Sequence, residues 1–197
     1  MIYIFVHSKY RKTMVKMTFT PRFAVIAAII LAAALFRLVP HWPNFTPVAA
    51  IALFGGACLN KKYLAFLVPL IALFISDLFL GFHSMMGWVY AGFMITVGIG
   101  LLLKRNINLF NVAGASLLSS VLFFLVTNFG AWLASPLYPD TFAGLIQCYI
   151  AGLVFFNDGS YGISFFLNEV LGSLFYNTVL FGSLYLLGQR FPALARD

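Results

Sequence analysis

The sequence predicts an all-α membrane protein of six transmembrane helices, both termini cytoplasmic, with an outer-face lid segment between helices five and six. Three observations carry this reading. Of 197 residues, 62% are hydrophobic and only 9% charged, where a soluble domain carries about a quarter charged residues. The apolar residues fall in six runs, and six spans of ~20 residues would use ~120 positions, nearly the whole apolar inventory. The basic residues sit only in alternate connections, as the positive-inside rule requires. A soluble enzyme, a disordered chain and a nucleic-acid module are excluded, and no length remains for a second domain.

Residues 1–22 form a basic cytoplasmic tail with Lys9, Arg11, Lys12, Lys16 and Arg22. Met14 and Met17 are alternative starts, and no small-residue cleavage site marks a signal peptide. The spans are Phe23–Val39, Asn44–Leu59, Tyr63–Leu80, Met86–Leu103, Val112–Leu133 and Ile163–Gly188, within a transmembrane domain over 23–188; residues 189–197 form a second tail. The second run is the shortest and is framed by Pro43 and Pro47. It counts as a span because Lys61 and Lys62 follow it. With six spans, those two lysines, the first tail, Lys104–Arg105 and Arg190–Arg196 share one side. Eleven of the 12 basic residues then face the cytoplasm, and the twelfth, Arg37, lies inside span one. The connection 134–162 holds Pro136, Pro139 and an apolar stretch, Thr141–Phe156, read as an interfacial helix or lid. A crossing there would turn Arg190 and Arg196 outward.

Ionisable groups in hydrocarbon are costly, ~2.5–3.5 kcal/mol each at mid-membrane, so Arg37, Asp77 and Glu169 each call for a reason. At ~1.5 Å rise per residue, all three fall in the outer third of their spans, and Asn128 reaches the same level. His41 and His83 lie at the rim, with Trp132 among the outer aromatics. These seven are the candidate substrate-binding residues, expected to meet in one outward cavity. The alternative to a ligand role is a structural pair, Arg37–Glu169 or Arg37–Asp77; two acids against one base still leave a carboxylate for a ligand amine, a proton or a polar network. Glu169, Ser173, Tyr176 and Asn177 share one helical face, as do Ser116, Ser120 and Thr127. Ala24, Ala28 and Ala32 repeat at four-residue spacing, a flat face for close approach within the bundle or to another subunit. Gly55, Gly56, Gly98 and Gly100 read as packing glycines. Cys58 and Cys148 make no CxxC pair, and no catalytic, cofactor or metal-binding motif is found. No GxxxxGK[ST] run cradles phosphate, so the chain either uses an ion gradient, forms a passive path or borrows energy from a partner.

The run Arg37-Leu38-Val39-Pro40-His41-Trp42-Pro43-Asn44-Phe45-Thr46-Pro47-Val48-Ala49-Ala50 resembles the opening of a family of small bacterial membrane proteins described as transport proteins. That family is similar to the substrate-binding (S) components of energy-coupling-factor (ECF) transporters. Ser76-Asp77, Leu80-Gly81-Phe82-His83, Thr127-Asn128-Phe129-Gly130-Ala131-Trp132, Tyr138-Pro139 and Leu180-Phe181-Gly182 extend the resemblance over Phe36 to Gly182. The resemblance implies a six-helix subunit in the bacterial cytoplasmic membrane, its pocket opening outward under a loop lid. It implies partnership with a transmembrane T subunit and two ATPase subunits, with an alanine ladder on the first helix at the contact. The function expected is capture of a small vitamin-like molecule for uptake. Arg37 would hold an anionic group, Glu169 and Asp77 a cationic or hydrogen-bonding group, and Asn128 a ring edge or amide. No motif points to a particular vitamin, and the N-terminal Met-His of nickel and cobalt relatives is absent, Ile2 following Met1. The rival expectations are a self-contained ion-coupled carrier or channel with Glu169 as the proton site, and a non-transporting assembly or scaffold subunit whose polar cluster is only structural.

Overall fold

The computed structural model of the chain describes residues 20–154 and 164–194. The basic tail before Thr20, the end of the expected lid at residues 155–163, and Arg196 lie outside the described residues. The described chain is helical, with no strand: α1 (Pro21–Phe36), α2 (Val48–Cys58), α3 (Lys62–Leu80), α4 (Met86–Leu103), α5 (Leu109–Ala134), α6 (Phe142–Val154) and α7 (Phe165–Arg190), closed by a short 3₁₀ turn, Pro192–Leu194.

Local chemistry sets the ends. Thr20, Asn108 and Ser164 are N-caps whose side chains accept the N–H of Phe23, Asn111 and Leu167, satisfying donors that a helix start leaves open. These caps begin α5 three residues before the run expected from Val112. Pro40 and Pro43 keep the chain after α1 out of helix. The expected second span from Asn44 is corrected: the chain turns at Pro43–Asn44, where the Phe45 N–H donates to the Trp42 carbonyl and Asn44 has φ 63°, and α2 begins only after Pro47 at its N-cap position. Asparagine is among the few residues that tolerate this left-handed conformation. Arg37 is also corrected. It lies past the last helical residue, as the C-cap of α1, not inside the helix.

Four helices, α3, α4, α5 and α7, are long and apolar enough to cross a membrane, while α1, α2 and α6 are shorter. By length and composition the chain is a multi-pass membrane protein. At 11 residues, α2 reaches only ~16 Å, about half of a ~30 Å hydrocarbon core. It is the hub of the bundle: every one of its residues is buried, and α1, α3, α4, α5 and α7 all pack against it. Those five close a ring in the order α1, α3, α4, α5, α7. Buried on all sides, α2 needs no polar face, which accounts for its unbroken apolar run. Gly56 of α2 and Gly100 of α4 let these helices meet backbone to backbone; a methyl on either would strike the other's main chain. Gly55 makes room in the same way for the Pro69 ring of α3, whereas Gly98 faces open space and is not a packing glycine.

Contacts define the two ends of the bundle. At one, Lys104 Nζ donates to the carbonyls of Leu59 (2.7 Å) and Asn60 (3.0 Å), and the Arg22 guanidinium donates to the Leu194 carbonyl. This basic end gathers the start of α1, the end of α2, the α4–α5 turn and the end of α7. At the other, the Asn168 amide donates to the Pro43 carbonyl at 2.9 Å, and Trp88 meets Phe129 edge-on. The stretch expected as a lid is helix α6, lying along the flank of α5 and touching α7. Tyr149 OH donates to the Leu125 carbonyl at 2.8 Å, and Gly152 sits against Asn128 and Phe124.

Candidate functional site

Two polar centres lie inside this apolar bundle. The first joins three helix ends. The Arg37 guanidinium Nη1 donates to Asp77 Oδ1 (2.6 Å) and to Ser76 Oγ (2.5 Å), while Tyr90 OH donates to Asp77 Oδ2 (2.8 Å). Ser76 in turn donates to the Leu73 carbonyl at 2.7 Å. Side-chain exposure is 11% for Arg37 and 5% for Asp77. Both carboxylate oxygens are thus answered, and the cluster closes on itself. Asp77 reaches this position because it sits one turn before Gly81, which ends α3 at φ 88°, a left-handed backbone suited to glycine.

The second centre is the α5–α7 seam. These helices run antiparallel, and the Asn177 amide fixes their register, donating to Ser116 Oγ (2.8 Å) and to Ser173 Oγ (3.3 Å). Glu169, Ser173 and Asn177 follow one another at successive turns of α7, each no more than 3% exposed. Ser116, Ser119 and Ser120 of α5 are fully buried. Ser119 Oγ, Ser120 Oγ, Glu169 Oε1 and Asn177 Oδ1 have no hydrogen-bond partner among the described residues. Buried polar groups are nearly always bonded, so these orphans call for an account.

The seven candidate residues therefore do not form a single cluster. Arg37 pairs with Asp77, and Glu169 belongs to the other centre. Asn128 turns its amide N–H to the Phe124 carbonyl (3.0 Å) beneath Gly152 of α6. Trp132 Nε1 donates to the Pro139 carbonyl (2.9 Å), holding the turn before α6. His41 is exposed, its Nδ1–H donating to the Val39 carbonyl at 2.6 Å, and His83 is exposed at the tip after α3. Among the described residues no three His, Cys, Asp or Glu side chains gather as a metal site. Ala24, Ala28 and Ala32 are all exposed on α1, while Ile26, Ile30, Ala33 and Ala34 supply its buried face. The stripe is thus not used for packing within the bundle.

Sequence reasoning missed Tyr90, Asn168 and Ser119. A tyrosine among outer aromatics reads as interfacial, and only the fold aims its hydroxyl at Asp77. The doublet Ser119-Ser120, inside an otherwise apolar stretch, was the available signal for the seam.

These features define a class: a polytopic helical membrane protein with a buried hub helix and a carboxylate in a polar seam. Within that class the chain belongs to DUF6580, a family of unknown function whose pattern matches residues 17–194. No curated protein matches the chain, and no solved structure matches it.

Proposed function

We propose that this chain is the integral-membrane substrate-binding subunit of a bacterial uptake system, S-component-like, that captures a small vitamin-like molecule at the outer half of the bundle. In this reading six helices cross the cytoplasmic membrane with both termini inside, the basic end facing the cytoplasm. The chain works with a transmembrane T subunit and two ATPase subunits, which reorient the loaded subunit. The observation that carries the reading is Glu169, a carboxylate buried in the seam with an unanswered oxygen. Arg37 is committed to Asp77, so the lone acid is left to meet a cationic or hydrogen-bonding group of the solute. The exposed alanine face of α1 supports a close helix contact with the T subunit. Arg37 and Asp77 serve this function by tying α1, α3 and α4 together above the hub.

The test is the small molecule that purifies with the protein, identified by mass spectrometry. Wild type retains a defined solute, Glu169→Gln loses it, and uptake into cells needs the ATPase subunits. The same lone carboxylate supports a second reading, a self-contained proton-coupled carrier. Uptake into proteoliposomes driven by a pH gradient, with no ATPase present, decides for that rival.

A further inference from the structure

We propose that Glu169 exchanges a proton with the basic end of the bundle, along the serine hydroxyls of the α5–α7 seam and the crevice that continues it. This holds whichever solute the protein handles.

The column begins at Glu169. One turn below it, ~6 Å along the helix, lies Ser173, and one turn further lies Asn177, bonded to both Ser173 and Ser116. The antiparallel register that brings Ser116 opposite Asn177 also brings Ser120 opposite Ser173. Each level therefore carries buried oxygen, and at three of the positions it is unpartnered. A serine hydroxyl is both donor and acceptor and rotates freely between the two roles, so it can accept a proton on one side and release one on the other. Asn177 is the positioning residue that keeps Ser173 and Ser116 in line.

Below Asn177 the seam opens. Ser116 and Asn177 line the head of a crevice of about 410 Å³ that runs between α5 and α7 to Asn108 and Tyr185. Ile107, Phe181 and Tyr185 are shared with a second cavity of about 300 Å³, lined by Arg22 and Gln189 at the basic end. Toward the other end the described residues close over Glu169. Asn168 is bonded to the Pro43 carbonyl, the Asn44 amide donates to the Phe165 carbonyl, Gly172 lies flush against the backbone of Phe45 and Thr46, and Phe124 meets Phe166 edge-on. The crevice thus approaches the carboxylate from the basic side, ending at Asn177, two turns of α7 below Glu169.

Among the described residues no other titratable group competes for the role. From α2 none lies above Cys58, and α5 offers only Ser, Thr and Asn. Tyr176 of α7 packs against Phe45. On α6, Cys148 and Tyr149 bond to the backbone of α5, and Arg37, Asp77 and Tyr90 are closed on one another. The step itself is simple. Hydronium in the crevice gives up a proton, water remains there, and an O–H bond forms on the Glu169 carboxylate.

The test uses the full-length protein, uniformly oriented in proteoliposomes, with the protonated-carboxyl stretch followed by infrared spectroscopy after a pH step on one face. The band assigned to Glu169 is the one missing in Glu169→Gln. It is expected to follow the pH at the basic face. Ser173→Ala and Asn177→Leu are expected to slow the response by about tenfold, ~1.4 kcal/mol of barrier, without changing its final amplitude. Ser173→Ala removes a single oxygen, so it remains informative if Asn177→Leu folds poorly. A band that follows the opposite face, rates untouched by both seam variants, or a band moved by Na⁺ at fixed pH would each overturn the proposal.

Discussion

Arg37 and Asp77 show how a charge pair in this bundle is held. The guanidinium spans Asp77 and Ser76, and Tyr90 answers the remaining carboxylate oxygen. Removing one member of such a buried pair strands the other and costs about 3–5 kcal/mol. Asp77→Ala is therefore expected to lower thermal stability in detergent markedly, and Arg37→Leu with Asp77→Ala to recover most of that loss; a double mutant no more stable than the single would show the pair is not coupled. Glu169 is the reverse case. Its carboxylate has an oxygen with no partner, so neutralising it removes a desolvation cost without stranding another charge. Glu169→Gln is expected to melt at or above the wild-type temperature while losing solute retention. A large destabilisation would mean the carboxylate is structural.

At the scale of elements, packing depends on α2. Its contact with α4 brings Gly56 and Gly100 together at backbone distance, the kind of small-residue approach that drives helix association where lipid is as apolar as leucine. Gly56→Leu and Gly100→Leu are expected to cost at least the ~1–3 kcal/mol typical of overpacking, whereas Gly98→Leu, beside open space, should leave the melting temperature unchanged. The exposed face of α1 gives a different prediction. Ala28→Trp adds bulk where nothing in the bundle is displaced, so the fold should persist while, if the proposed function holds, co-purification with a T subunit is lost. Equal recovery of the complex would remove the alanine stripe from the interface.

For the whole molecule, the arrangement of the ring sets what each end can do. Two cavities that share Ile107, Phe181 and Tyr185 lie toward the basic end, and at the opposite end the segment before α2 is bonded to α7 through Asn168 and Pro43. Tags at the N- and C-termini are expected on the same, cytoplasmic side in spheroplast labelling, while a site introduced beside His83 labels from outside. Termini found on opposite sides would mean an odd number of crossings, which α1, α2 and α6, all shorter than the four long helices, leave as the elements in question.

The helical class, the order of the long helices and the gathering of basic residues into alternate connections were determined by the sequence alone, because burial in lipid and side-chain charge act on each segment locally. Helix ends were less legible: caps such as Asn108 and the turn at Asn44 depend on single side chains that an apolar run does not reveal. Which polar residues meet was decided only in three dimensions. Residues at one depth on different helices look convergent in one dimension, but the rotation of each helix about α2 directs Arg37 to Asp77 and leaves Glu169 buried in the α5–α7 seam, apart from that pair. That rotation follows from packing against the hub, a property of the assembled bundle that no single helix carries.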